Sequence, residues 1–233
     1  MTGATDVRLT GIERTLRASR LFEGVEAAAA TFAPCAIRRR FRRGEFIWHE
    51  GDPATSFTVI ASGLIKICQS HPDGDNAIVA LFGPRENIGD VAVVSTGSYP
   101  ADAIAATEVV EILSIEKTPV LTALQQDVAL AQALNRSLVE HSRALREKIR
   151  IMTAGPVEQR LAALLAHLVA RFGDELDSGA VLIPVALSRT DLARLVGARS
   201  ETTIRVMTRW QRAKLLSTTA AGFVIHDPSK FQE

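Results

Sequence analysis

Leu187 to Trp210 reads LSRTDLARLVGARSETTIRVMTRW, and its spacing decides how the C-terminal part of this chain folds. Ser188 stands where an N-cap belongs. Leu192, Leu195 and Val196 recur behind it at helical spacing, which gives a short helix with one apolar face. Gly197 ends that helix in a tight turn. A second helix follows, with Ile204, Val206, Met207 and Trp210 as expected core-facing positions and Arg199, Ser200, Glu201 and Arg205 at its polar start. Two short helices about such a turn form a helix-turn-helix, whose second helix reaches base edges when it enters a major groove. From Ser188 to Lys214 seven basic residues stand against Asp191 and Glu201, a local +5, whereas the whole chain carries only +1. That contrast argues for one concentrated phosphate-facing patch rather than a polyanion-binding surface. A solvated amphipathic helix pair that never meets DNA is the plainer alternative.

Upstream, Phe41 to Lys66 reads FRRGEFIWHEGDPATSFTVIASGLIK, short apolar runs punctuated by Gly44, Gly51-Asp52 and Ser62-Gly63. This is the pattern of strands and turns. It continues through Asp73-Gly74, Gly83-Pro84, Gly89 and Gly97 to the run Val109–Leu113, predicting about eight strands and a compact barrel or jelly roll.

After Pro119 the pattern changes. No glycine occurs from Val120 to Ala154, and Leu124, Ala131, Leu138, Leu145 and Met152 repeat every seven residues. A long helix with a dimer seam is expected, its neighbouring stripe filled by Val128, Leu134 and Ile149 and interrupted by Asn135 and Ser142. A helix lying on its own barrel is the alternative, above all for Leu134 and Val128. Ala154-Gly155-Pro156 breaks the helix, with Gly155 as a natural hinge, and Leu161, Leu164, Leu165 and Leu168 mark one face of the next helix.

A small barrel, a long dimer helix, a hinge and a terminal helix-turn-helix resemble the Crp/Fnr superfamily of bacterial transcription regulators. The resemblance covers nearly the whole chain. It is carried by Gly44, Gly51-Asp52 and Gly63 with Lys66 in the barrel, by Pro156–Leu161 after the hinge, and by LSRTDLARLVGARSETTIR at the reader. It implies an α+β chain: a jelly-roll sensor domain over 1–118, a dimerisation helix and hinge over 119–154, and a winged helix-turn-helix over 155–233. The wing is the hairpin of Leu215-Leu216-Ser217 and Phe223-Val224-Ile225 around Ala220-Ala221-Gly222. By the same likeness Arg205 reads a guanine, Glu201 accepts from a cytosine amino group, and Arg199 and Ser200 flank them. Ser200 stands where cyclic-AMP-type members place an Arg for a second guanine. Ser188, Arg189, Thr202 and Arg209 are the expected phosphate contacts. Two-fold symmetry then predicts a near-palindromic double-stranded operator with TTGA-like half-sites, read by a homodimer that contacts RNA polymerase if it activates.

The expected effector pocket contains Gly89, Asp90, Tyr99, Pro100 and Ala101, with Leu145 and Arg146 on the long helix. Cyclic-AMP-binding members place a Glu after the Gly and an Arg followed by Ser or Thr for the phosphate. This chain has Asp90 and Tyr99-Pro100 there, so the phosphate loses its bidentate partner and the residues argue against cyclic AMP. A Tyr-Pro pair resembles the branch that senses nitric oxide through haem. That reading is the alternative, with His141 the first choice of axial ligand among His49, His71, His141, His167 and His226. The effector is otherwise unknown, and a constitutively active regulator fits as well.

Composition narrows the field further. At 233 residues and 47% hydrophobic, the chain can bury two modest cores. Apolar runs are too short for a membrane span, and a first segment carrying Arg8, Glu13, Arg14 and Arg17 lacks a signal peptide's apolar block, so a cytoplasmic protein without membrane partners is expected. Two cysteines, Cys35 and Cys68, cannot supply an iron–sulfur cluster's four thiolates without a dimer-bridging site and read as buried spectators. A metal enzyme of the cupin kind needs clustered His and carboxylate ligands, and His49-Glu50 is the one adjacent pair in the barrel, so neither catalytic nor metal residues are expected. The run Arg38-Arg39-Arg40, Arg42-Arg43 reads as a charge-guarded strand edge. A dimeric sensor or scaffold that does not bind DNA is the rival from another class.

Overall fold

The computed structural model describes residues 11–69, 77–95, 97–185 and 187–231; Arg8, His71 and Asp73-Gly74 lie outside them. By its internal contacts the chain divides into two units, Met1–Gln69 with Leu81–Ala144, and Ser70–Ala80 with Leu145–Glu233.

The first unit opens with helix α1 over residues 11–17 and α2 (Glu26–Phe32). Eight strands follow: β1 (Ile37–Arg42), β2 (Phe46–Trp48), β3 (Ser56–Ser62), β4 (Ile65–Gln69), β5 (Ala77–Phe82), β6 (Asn87–Ile88), β7 (Asp102–Ala105) and β8 (Val109–Glu116). They form two four-stranded sheets, ordered β1-β8-β3-β6 and β2-β7-β4-β5. The expected jelly roll is therefore present. Buried residues run consecutively through Phe57–Ile60 on β3 and Asp102–Ala105 on β7, and Phe57, Val59, Ile65, Ile112, Leu113 and Ile115 fill the core with Leu16, Leu21 and Phe22 from the N-terminal helices. Four arginines of the run lie on β1, at the edge of its sheet, with Arg43 in the turn just after it, and all five residues are exposed. Cys68 is buried, but Cys35 is exposed, against expectation, because Ala33–Cys35 forms a surface 3-10 turn ahead of β1.

The α3 helix (Asp90–Val94) follows Gly89. The long helical region is two helices, α4 (Lys117–Gln126) and α5 (Val128–Thr153), rather than one. Asp127 takes an extended backbone, and its Oδ1 accepts the N–H groups of Ala129 and Leu130 at 2.8 and 3.1 Å, so it caps a new helix. Leu124 consequently sits on α4, half-buried against the barrel core, apart from the stripe on α5. Leu130, Ala133 and Leu134 anchor α5 to that core, each buried Leu contributing about 1.5–3 kcal/mol. Val128 is exposed, so of the two residues expected to serve the barrel only Leu134 does.

The second unit contains the rest of α5, then α6 (Val157–Phe172), β9 (Asp174–Glu175), β10 (Val181–Ile183), α7 (Arg189–Val196), α8 (Ser200–Arg212), β11 (Leu216–Thr218) and β12 (Phe223–Ile225). The last two strands pair antiparallel as the wing, and β10 and β9 extend the sheet to the order β11-β12-β10-β9. Among the described residues no helix is long and apolar enough to cross a membrane.

Candidate nucleic-acid interface and sensor site

The reader is built from its caps inward. Ser188 Oγ accepts the Asp191 N–H at 2.9 Å, and Asp191 Oδ2 accepts the Ser188 N–H at 3.0 Å, a reciprocal capping box that starts α7. Gly197, at φ +60°, ends the helix in the left-handed region where a side chain is disfavoured. Two cations then collar the last carbonyls of this helix. Arg160 on α6 donates to Val196 O at 2.8 Å and Gly197 O at 3.2 Å, and Lys148 on α5 donates to Leu195 O and, at 2.9 Å, to Ile78 O. Burial pushes the Lys148 ammonium down to about 8.

On α8 the buried stripe is Thr203, Val206, Met207 and Trp210. Ile204, expected in the core, is instead 47% exposed, because positions 203, 206, 207 and 210 share one helical face and 204 lies a sixth of a turn or more outside it. Arg199, Glu201 and Arg205 are exposed and Ser200 is half-buried, so the expected base-reading residues stand on one outward face with Ile204 among them.

The expected phosphate contacts separate into two kinds. Ser188 and Thr202 lie at the starts of α7 and α8, Ser188 exposed and its hydroxyl engaged in the cap. Arg189 Nη2 donates to Thr218 Oγ1 at 2.8 Å and its guanidinium lies 5.5 Å from the Phe223 ring, which braces the wing against α7. Arg209 pairs with Glu158 on α6, whose Oε1 also accepts Trp210 Nε1–H at 3.2 Å. Glu158 thus offsets part of the local positive charge at the surface.

In the first unit Asp90, 1% exposed, is the hub of a polar network. Asn87 Nδ2 donates to its Oδ2 at 2.5 Å, the Val91 N–H to its Oδ1 at 3.0 Å, and Ser137 Oγ lies 3.2 Å from Oδ2 and 2.9 Å from Asn87 Oδ1. His141 completes it, Nδ1 at 3.3 Å from Asp90 Oδ1 and Nε2 at 3.1 Å from Asn87 O. Burial holds the Asp90 carboxyl above the usual range, against the attraction of His141. Gly89, at φ +79°, lets the backbone pass beneath a stacked pair, Trp48 and Tyr99, whose ring centroids are 4.0 Å apart; an added Cβ would lie 2.8 Å from Tyr99 Cε1. Trp48 Nε1 donates to Ala101 O at 3.0 Å, which fastens the pair to the Tyr99–Ala101 turn.

Residues 38–127 match the family profile described as a cyclic nucleotide-binding domain, and residues 159–233 match the Crp-like helix-turn-helix domain. The transcriptional activator protein anr of Pseudomonas aeruginosa is 30% identical over 190 residues, 81% of this chain and 75% of that protein. The chain belongs to the Crp/Fnr family. The CRP-like cAMP-activated global transcriptional regulator of Mycobacterium tuberculosis is 24% identical over 94% of this chain and 97% of its own length. In fold, FixK2 from Bradyrhizobium japonicum superposes with a TM-score of 0.72 at 20% identity, covering 84% of this chain and 96% of that one. A Crp/Fnr chain is a transcription regulator with a DNA-binding helix-turn-helix rather than an enzyme.

Within this Crp/Fnr frame the structure sorts the sensor residues. Gly89, Asp90, Tyr99, Pro100 and Ala101 all lie in the first unit, Asp90, Tyr99 and Ala101 buried and Pro100 exposed, whereas Leu145 and Arg146 are exposed residues of the second. The α5 side chains that meet Asp90 are Ser137 and His141. Sequence reasoning missed Ser137 and Asn87, and it weighed His141 only as a metal ligand. A short polar residue every helical turn on an otherwise apolar face was the one available signal. His141 Nε2 faces the Asn87 carbonyl and Nδ1 faces Asp90, so both ring nitrogens are engaged within the protein. His49 lies 3.7 Å from Asp102 and stacks on Phe46, and His167 lies 3.5 Å from Glu147, its pKa lowered chiefly by burial. Among the described residues no three His, Cys, Asp or Glu side chains cluster as a metal site would require.

Of the expected seam positions on α5, Ala131 and Leu138 are half-buried, Leu138 partly packed on the barrel core, while Leu145 and Met152 are 54% and 44% exposed, with Ile149 at 56% beside them. Gly155, at φ +113°, lies in the break between α5 and α6.

Proposed function

We propose that this protein is a homodimeric, sequence-specific DNA-binding regulator whose sensor does not take cyclic AMP and answers to another small molecule or gas, or acts constitutively. The outward face of α8 carries the reading: exposed Arg199, Glu201 and Arg205 around Ser200 present donors and an acceptor on a helix held rigidly by its buried stripe. Arg205 reads guanine and Glu201 a cytosine amino group in a TTGA-like half-site. Residues 1–118 sense, 119–154 join two copies and 155–233 read, with Gly155 as the hinge through which the paired helices set the spacing of the readers. Half-site centres then lie about 34 Å, or about 10 base pairs, apart. The exposed run Leu145, Ile149 and Met152 supports the partner copy, since an uncovered aliphatic stripe on a helix is costly in water. The protein works in the cytoplasm and contacts RNA polymerase where it activates.

Against cyclic AMP stand two features of the sensor. The turn Tyr99–Ala101 offers a stacked aromatic pair in place of a guanidinium, and the Asp90 carboxylate is already satisfied by Asn87, Val91, Ser137 and His141. The relatives do not decide the point, since the mycobacterial one is described as cAMP-activated and the Pseudomonas one only as an activator. The test has two arms. Thermal stability of the purified protein is measured with cyclic AMP, cyclic GMP, cyclic di-GMP, haem and 2-oxoglutarate, where a ligand at 100 times its Kd adds about 2.7 kcal/mol. A cyclic-AMP shift would refute the sensor reading. Affinity for duplex DNA that does not fall with salt, or no selected consensus, would refute the reader.

A further inference from the structure

We infer that Ile204 is a base-reading residue which selects thymine by covering its C5-methyl group in the major groove; the inference rests on the DNA-reading role of α8. On that helix the core is served by Thr203, Val206, Met207 and Trp210, and the opposite face is polar except at Ile204, 47% exposed between Glu201 and Arg205. A branched aliphatic side chain there leaves nearly half of its surface uncovered by the fold. It lies three residues beyond Glu201, about 4.5 Å along the axis, within one or two base-pair steps of the base that Glu201 contacts. The major groove offers it one apolar group, the thymine methyl, which polar neighbours cannot distinguish from a hydrogen. The rigid χ1 of a β-branched residue holds the γ-methyl in place at little entropic cost, so the contact is preorganised.

The experiment selects the preferred duplex from random sequence with the full-length protein, then replaces each thymine of the half-site in turn by deoxyuridine, which removes only the methyl. Affinities are measured by fluorescence anisotropy for the wild type, Ile204→Ala and Ile204→Val. At one thymine the wild type should bind the deoxyuridine duplex about fourfold more weakly, the worth of one buried methyl, while Ile204→Ala binds both duplexes equally and Ile204→Val keeps a preference. Ile204 is outside the buried stripe, so both variants should melt with the wild type. A wild type indifferent to deoxyuridine at every thymine overturns the inference and leaves the DNA reading intact, as does an unchanged preference in Ile204→Ala. Failure to select any duplex overturns the DNA reading itself.

Discussion

Lys148→Met tests whether the ammonium of Lys148 is as desolvated as its surroundings imply. Its Nζ donates to Ile78 O and Leu195 O, and burial lowers its pKa from 10.5 to about 8. At 1.36 kcal/mol per pKa unit that difference is worth about 3 kcal/mol. Below pH 8 both folded and unfolded chains hold the proton, and the fold carries the cost of a buried charge. Between pH 8 and 10.5 the unfolded chain keeps a proton that the folded one has released, so stability rises with pH across this window and levels off above it. The variant fills similar volume without a titrating group, and its rise should be smaller by about 3 kcal/mol. Urea unfolding from pH 7 to 11 in a Trp48→Phe background leaves Trp210 as the single tryptophan, and the difference between the two curves cancels every other titrating group. Parallel curves, within about 0.5 kcal/mol over the window, would show a solvated ammonium and refute the argument.

Arg205→Ala should cost about 1–3 kcal/mol on the preferred operator and relax selectivity at one base pair; equal weakening on all sequences would move Arg205 from a base to a phosphate. Gly89→Ala should destabilise the sensor more than Gly97→Ala, since both residues have positive φ but only at Gly89 does a Cβ meet the Tyr99 ring; equal losses in thermal unfolding would mean that the stack yields freely. Leu145→Glu combined with Ile149→Glu should shift sedimentation to the monomer at micromolar concentration and reduce operator affinity together with it, and an unchanged dimer would place the seam elsewhere.

Local pattern carried most of the architecture. The glycine-punctuated apolar runs fold as eight strands, Ser188 caps α7, Gly197 ends it, and Leu215–Ile225 forms the wing. These features depend on neighbours in the chain, through alternation, capping and turn geometry, so residue order suffices for them. The heptad from Leu124 to Met152 misled at its start because a periodic pattern runs unbroken through a cap: Asp127 stops one helix and starts the next without disturbing the spacing. The strands β9 and β10 are two and three residues long, too short to show a period.

Contacts between distant residues were settled by folding alone. Asp90 meets Ser137 and His141 some fifty positions away, Arg189 finds Thr218, and Arg209 finds Glu158, so two expected phosphate contacts also have partners within the protein. Ile204 points outward because the helix turns about 100° per residue and its phase is set by which neighbours pack, a choice that the adjacent apolar letters Ile204, Val206 and Met207 leave open. Hydrophobic order specifies which segments become helices and strands, while the partners of each polar group depend on where the packed core finally brings them.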